Sequence, residues 1–172
     1  MNIPEHCHIF ESSGWVVSHR MNSTLPGYLM ISSKVDAQDL SELSETALSE
    51  LGPLLAVAQR VLKHELLAQW VYIGRYGHTP ACPIHFHVIP IYDWVADLFW
   101  KDHRYRLLET FTDGASNSLT DGSELTLFVW REFCERPDPP PVSGPSVREV
   151  IALLREKLRP YLAAKKKRPT LL

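Results

Sequence analysis

Residues 83–92, PIHFHVIPIY, constrain this chain more than any other stretch. They form a short apolar run behind a loop of small and turn residues, GHTPAC, and read as a strand. A strand alternates its faces with a period of two. Ile84, Phe86 and Val88 therefore share one face, while His85 and His87 share the other with Ile89 and Ile91. The two imidazoles stand about 6–7 Å apart at Cβ, from a rise of ~3.3 Å per residue, and can converge on one small group.

The remaining segments supply a sheet around that strand. HCHIF, GWVVSHR and LPGYLMIS, all within residues 6–32, read as three strands, the last opened by the Pro26-Gly27 turn signal. WVYIGRY (70–76) is a fourth and PIHFHVIPIY the fifth. Residues 44–67 carry Leu48, Leu51, Leu55, Ala58 and Leu62 at spacings of three and four, one helical stripe, with Pro53 predicting a kink or a new start. Residues 93–111 read as helix with Val95, Leu98 and Phe99 on one side, and 112–123 as a polar loop. In 124–136, ELTLFVWREFCER, the spacing of Leu125, Phe128, Val129 and Phe133 favours helix over strand. RPDPPPVSGP is a linker. Ser146-x-x-Glu149 is a capping box that opens a last helix to about Ala164, with a stripe of Val147, Val150, Ile151, Leu154, Leu158 and Tyr161. The KKKR run at 165–168 reads as a solvated end. Strands, helix, strands, helices is an α+β order with an antiparallel sheet. The expected architecture is about five strands with helices packed on one face, a first domain over 1–112 and a C-terminal helical extension over 113–172.

Composition excludes several classes. A net charge of -2 gives no bulk attraction to nucleic acid or to an anionic membrane. No apolar run approaches the ~18 residues of a membrane span. The N-terminus lacks the basic start and apolar core of a secretory signal. Three cysteines without a C-x-x-C pair (Cys7, Cys82, Cys134) disfavour a disulfide framework and fit a cytoplasmic protein.

Two histidines on one strand face admit three readings. They can be partly buried rings bonded to backbone. They can be two ligands of a metal, which needs a third from among His6, His8, His78 and His103, none singled out by spacing. Or one imidazole attacks an electrophile while the other donates a proton or hydrogen bond.

PIHFHVIP resembles the signature of the histidine triad superfamily of nucleotide hydrolases and transferases, His-φ-His-φ-His-φ-φ followed by proline. Aligned on Pro90, His85 falls on the middle histidine, His87 on the third, and Pro83 stands where the first would be. HIFES, LPGYLMISSKVDAQDLSEL and YIGRYGHTPACPIHFHVIP follow the same progression, so the resemblance covers roughly residues 6–92. It implies a histidine-triad-like fold, catalysis through His85 and His87, no cofactor or metal, a nucleotide substrate such as a dinucleoside polyphosphate or nucleoside phosphoramidate, and a homodimer. In the resembled enzymes the middle histidine attacks the α-phosphorus and is oriented by the backbone carbonyl of the first triad position. Proline keeps its carbonyl, so Pro83 can still orient His85. The resemblance further implies nucleotide contacts from Ile9 and Phe10 at the base, from Arg20 at ribose or a distal phosphate, from Asn22 at ribose, and from Thr79 at the leaving phosphate. Each has a plain alternative: core packing for Ile9 and Phe10, an exposed strand end for Arg20, a turn for Asn22, and Pro80 in the place of Thr79. A binding module without catalysis remains open, on Pro83 and on the absence of the Gly-Gln-Ser/Thr loop that many members carry.

Overall fold

The computed structural model of the protein describes residues 3–77, 82–106 and 122–165. Five strands form one antiparallel sheet: β1 (His8–Glu11), β2 (Trp15–His19), β3 (Leu29–Ser33), β4 (Trp70–Gly74) and β5 (His85–Ile91), in the spatial order β1-β2-β3-β5-β4. The helices are α1 (Glu45–Glu65), α2 (Asp93–Lys101), α3 (Ser123–Trp130) and α4 (Val147–Lys165). The fold is α+β, as the element order predicts. No helix among the described residues is long and apolar enough to cross a membrane.

Strand register sorts side chains onto two faces. Val17 pairs with Ile31 and Ile31 with Phe86, which puts these three on one face with Trp15, Leu29 and Val88. That face packs on α1. The Trp15 indole N–H donates to the Ala47 carbonyl at 2.8 Å, and the Trp15 ring meets Phe86 edge-on at 6.0 Å. Gly14 permits the approach, because a Cβ there would lie 2.6 Å from that of Ala47. His87 pairs with Met30 and His85 with Ser32, and these occupy the opposite face with Ile89 and Tyr72.

The expected α1 stripe holds at Ala58 and Leu62, which are buried, and at Leu51 and Leu55, which pack partly buried against the core; it departs at the start of the helix. Ala47, Glu50, Ala58, Val61 and Leu62 are buried, whereas Leu48 is exposed. Glu50 turns inward because its carboxylate accepts from the Ser12 hydroxyl at 2.7 Å and the Gly14 N–H at 3.0 Å, tying the β1–β2 hairpin to the helix. Pro53 does not restart the helix, which runs unbroken from its Ser44 cap to Glu65. Burial of its inner face outweighs the loss of one backbone donor.

The C-terminal half divides between the two sides of the sheet. The α4 capping box forms, with the Glu149 carboxylate accepting from the Ser146 N–H at 2.8 Å, and Val150, Ile151, Leu154 and Leu158 are buried. This helix packs on β1 and α1, where the Arg155 guanidinium donates to the carbonyls of His8 and Glu5. The other half covers the histidine face. There α2 ends at Lys101, short of the expected 111, followed by a 3₁₀ turn, His103–Tyr105. Residues 107–121, which hold most of the expected polar loop, lie outside the described residues, as do 166–168 of the basic run. Residues 123–130 are helical, in agreement with the spacing of their apolar side chains, and pass into a π-helical turn, Arg131–Glu135. Phe99, Tyr105, Phe128, Phe133 and Trp94 join these segments edge to face.

Candidate functional site

Two features put α3 over the histidines. Gly122, at φ 91, is the residue before the helix, and a Cβ there would fall 2.1 Å from the Tyr72 ring, so only glycine lets the helix start against β4. At the other end, the π turn exposes carbonyls to the loop after β2. The Phe133 carbonyl accepts from the Thr24 N–H at 2.8 Å, and the Cys134 carbonyl from the Asn22 amide at 3.3 Å. A cavity of about 380 Å³ remains between helix and sheet, lined by Arg20, Tyr28, Tyr76, Gly77, His87, Ile89, Ser123, Thr126, Leu127 and Trp130.

His85 is half-buried. Its Nδ1 lies 2.9 Å from the Pro83 carbonyl, and the Cys82 sulfur is 3.6 Å from the same nitrogen. A carbonyl only accepts, so Nδ1 carries the proton and Nε2 presents a lone pair. That is the orientation a nucleophilic imidazole needs, supplied by the backbone of a proline.

His87 is set up the opposite way. It is buried, and its ring centroid lies 5.1 Å from that of His85. Its Nδ1 lies 2.9 Å from the Tyr28 hydroxyl, which in turn lies 2.7 Å from Nη1 of Arg20. The guanidinium can only donate, so it donates to the phenol oxygen. The phenol proton then points to Nδ1, the other partner of this buried hydroxyl among the described residues. Nδ1 of His87 is therefore an acceptor, and its proton sits on Nε2. Arg20 itself is 3.5 Å from Nδ1, too long for a useful bond. Burial, then the Arg20 charge, then His85 press the His87 pKa down to about 3, so the ring is neutral. Burial pushes the Tyr28 phenol up to about 12, so it keeps its proton.

The structure thus gathers His85, His87, Pro83, Arg20 and Asn22 into one region. Asn22 acts as a brace: its carbonyl oxygen accepts from Arg20 Nε at 2.9 Å while its amide holds Cys134. Ile9 and Phe10 are not brought there. Both are buried in the core on β1, an edge strand with β2 and β3 between it and β5, and neither lines the cavity. Thr79 falls in residues 78–81, outside the described residues, with His78 and Pro80. No group of three His, Cys, Asp or Glu side chains able to hold a metal occurs among the described residues. Of the third ligands considered, His8 is paired with Glu11 at 3.0 Å.

The sequence reading missed Tyr28, Tyr76 and Ser32. The Tyr76 ring stands edge-on to His87 at 5.2 Å, and Tyr76 and Trp130 are exposed at the cavity. Ser32 pairs with His85 in register on the histidine face, and its buried hydroxyl has no hydrogen-bond partner among the described residues. An unpartnered buried hydroxyl costs on the order of 1–3 kcal/mol. One usable signal was present, since Tyr28 follows directly on the Pro26-Gly27 turn and immediately precedes β3, the strand that pairs with β5.

No protein-family model matches this sequence, and no curated protein matches it. Solved structures share its fold. A zinc-bound histidine triad family protein from Mycobacterium smegmatis aligns over 92% of this chain and 87% of its own, at a TM-score of 0.50 and 16% identity. A uridylyltransferase aligns over 91% of this chain and 42% of its own, at 0.53 and 15%. The NitFhit protein of C. elegans aligns over 91% of this chain and 28% of its own, at 0.52 and 14%. This chain therefore spans less than half the length of the last two. At these identities the likeness is one of fold: a five-stranded antiparallel α+β domain of the kind found in histidine triad structures.

Proposed function

We propose that this chain binds a nucleotide on the histidine face and cleaves or transfers it at the α-phosphate through a nucleotidyl-His85 intermediate. The observation that carries this reading is the 2.9 Å contact between His85 Nδ1 and the Pro83 carbonyl, which leaves the Nε2 lone pair free for attack. His87 Nε2–H donates to a phosphate oxygen as charge develops, and Arg20 supplies positive charge beside it. The cavity walled by Tyr76 and Trp130 takes the organic part of the substrate. The region from 113 onward is read as an extension of a first domain over 1–112, contributing that wall. A homodimer belongs to the same proposal and is checked by light scattering.

The chemistry runs in two displacements. Nε2 attacks phosphorus, the bond to the leaving group breaks with its electron pair, and the ring carries the positive charge with Nδ1–H still on the Pro83 carbonyl. Water then attacks phosphorus, the phosphorus–nitrogen bond returns its pair to Nε2, and the water proton passes to solvent. The test is hydrolysis of a dinucleoside tetraphosphate and a nucleoside phosphoramidate with chelator present, by wild type and His85→Ala. Turnover by wild type, with an acid-labile nucleotide adduct after rapid quench and none in His85→Ala, is the expected result. Equal activity in both proteins refutes the nucleophile. A second reading, nucleotide binding without turnover, rests on Pro83 in the place of the first histidine. It predicts thermal protection by nucleotide and no product.

A further inference from the structure

We infer that Arg20 and Tyr28 are positioning residues that hold His87 as a fixed neutral Nε2–H donor, and that this makes the site selective for leaving groups that depart as anions. The inference rests on the reading of nucleotidyl transfer to His85 given above.

The geometry leaves His87 little freedom. A guanidinium has no acceptor, so the 2.7 Å contact fixes the Arg20-to-Tyr28 direction, and the 2.9 Å contact then fixes Tyr28 to His87 Nδ1. Tyr28 and His87 are 1% and 6% exposed, so water does not compete for either bond. Adding a proton to Nδ1 requires breaking the Tyr28 bond and placing a second cation beside Arg20. The charged and titratable groups facing His87 among the described residues are Arg20, just after β2; Tyr28, just before β3; His85, on its own strand; and Tyr76, beyond β4. None is a carboxylate that would favour an imidazolium.

A neutral Nε2–H stabilises a phosphate oxygen but has no spare proton to give away. When the bond from phosphorus to a bridging phosphate oxygen breaks, the electron pair leaves on that oxygen as a stable anion, and no proton is needed. When a phosphorus–nitrogen bond breaks, the pair leaves on an amide nitrogen, which must collect a proton as it goes. General acid catalysis of that kind is worth ~10²–10⁴-fold, and His87 in this setting does not supply it. Arg20 adds to the bias, since its charge attracts a departing phosphate anion and gives no such help to a departing neutral amine.

Two measurements test this on the full chain. The first is the state of the His87 ring in the free protein, by ¹⁵N–¹H correlation of the histidine side chains between pH 5 and 8. The expected spectrum shows Nε2 protonated, Nδ1 bare and no titration. Tyr28→Phe is expected to give mixed tautomers, and Arg20→Gln, which frees the phenol oxygen to accept from Nδ1–H, to do the same. A wild-type ring that titrates near pH 6.5, or a spectrum unmoved by both substitutions, overturns the positioning role. The second is the ratio of kcat/KM for an adenylyl anhydride over an adenosine phosphoramidate at pH 7. A ratio of about 100 or more in wild type, falling at least tenfold in Arg20→Gln, is expected. Comparable rates on both substrates overturn the selectivity while leaving nucleotidyl transfer intact. A wild type that shows the fixed tautomer and turns over neither substrate overturns the selectivity together with the proposed activity, and leaves the Arg20–Tyr28–His87 arrangement standing.

Discussion

His85 and His87 occupy the same face of β5, two residues apart, and are held by different kinds of structure. His85 is oriented from within its own segment, by a backbone carbonyl at Pro83. His87 is oriented from outside, by Tyr28 and Arg20, which lie 59 and 67 residues away in sequence. The first arrangement survives changes of side chain at its support, because every residue has a carbonyl. The second is lost with one hydroxyl. The result is two imidazoles oriented in opposite senses, one with Nδ1 turned to a carbonyl and Nε2 to the open side, the other accepting at Nδ1 and offering a proton at Nε2.

The largest expected effect separates the two roles. His85→Ala removes the atom proposed to attack and should lower kcat on the order of 10⁶-fold, the scale on which covalent nucleophiles act. Single-turnover assays with quench measure it. A loss under about a hundredfold would place the nucleophile elsewhere and dissolve the contrast between the two rings.

That contrast also explains what the sequence discloses. The orientation of His85 follows from residue spacing and from the carbonyl of proline, both local, so PIHFHVIP is sufficient to predict it. The support of His87 depends on which strand lies beside β5, and that follows from the β3–β5 pairing of Met30 with His87. The start of α1 departs from its apolar spacing for a similar reason. The leucine spacing suggests Leu48 inward, but Glu50 takes the inner place because Ser12 and Gly14, across the sheet, present hydrogen-bond donors to it. The position of α3 had one trace in the sequence, Gly122, whose need appears only once Tyr72 stands against it. Ile9 and Phe10 show the converse, for an apolar pair serves a core and a base pocket equally well, and here it serves the core.

Acid should distinguish the buried rings from exposed ones. His87 is held down to about 3 and His19 is also lowered by burial, so both are neutral in the folded chain and charge in the unfolded one. Below the ordinary histidine value of ~6.5 the unfolded state binds more protons, and stability falls as pH falls. The contribution of His87 is fully present above pH ~6.5 and is lost on the way down to about 3, on the order of 5 kcal/mol in all. Urea denaturation from pH 7.5 to 4.5 measures the slope. His87→Gln should flatten it, and an unchanged slope would mean that His87 is not the buried neutral ring described here.

Activity probes the same ring at somewhat smaller scale. His87→Ala deletes one donor to the developing phosphate charge, an effect of ~10²–10³-fold in kcat. His87→Gln returns an amide N–H near the former Nε2 and should recover at least about tenfold of that loss on an anhydride substrate. A general acid would not be rescued this way, since an amide carries no transferable proton. Gln equal to Ala, or worse, would therefore favour proton transfer by His87 over hydrogen bonding.

The smallest effect is the sharpest test of how His85 is held. Pro83 replaces a histidine of the resembled pattern, and its ring makes none of the hydrogen bonds seen at the site; the carbonyl makes the one to His85. Pro83→Ala keeps that carbonyl and should cost about threefold in kcat/KM, or ~0.7 kcal/mol, from a looser backbone before the strand. The same substitution adds an N–H at a buried position and relaxes φ, so thermal unfolding should be followed alongside. If activity drops a hundredfold while the melting temperature holds, the proline ring itself sets the angle of His85. In that case the two histidines would differ less than their hydrogen bonds suggest, since both would then depend on a particular side chain for their support.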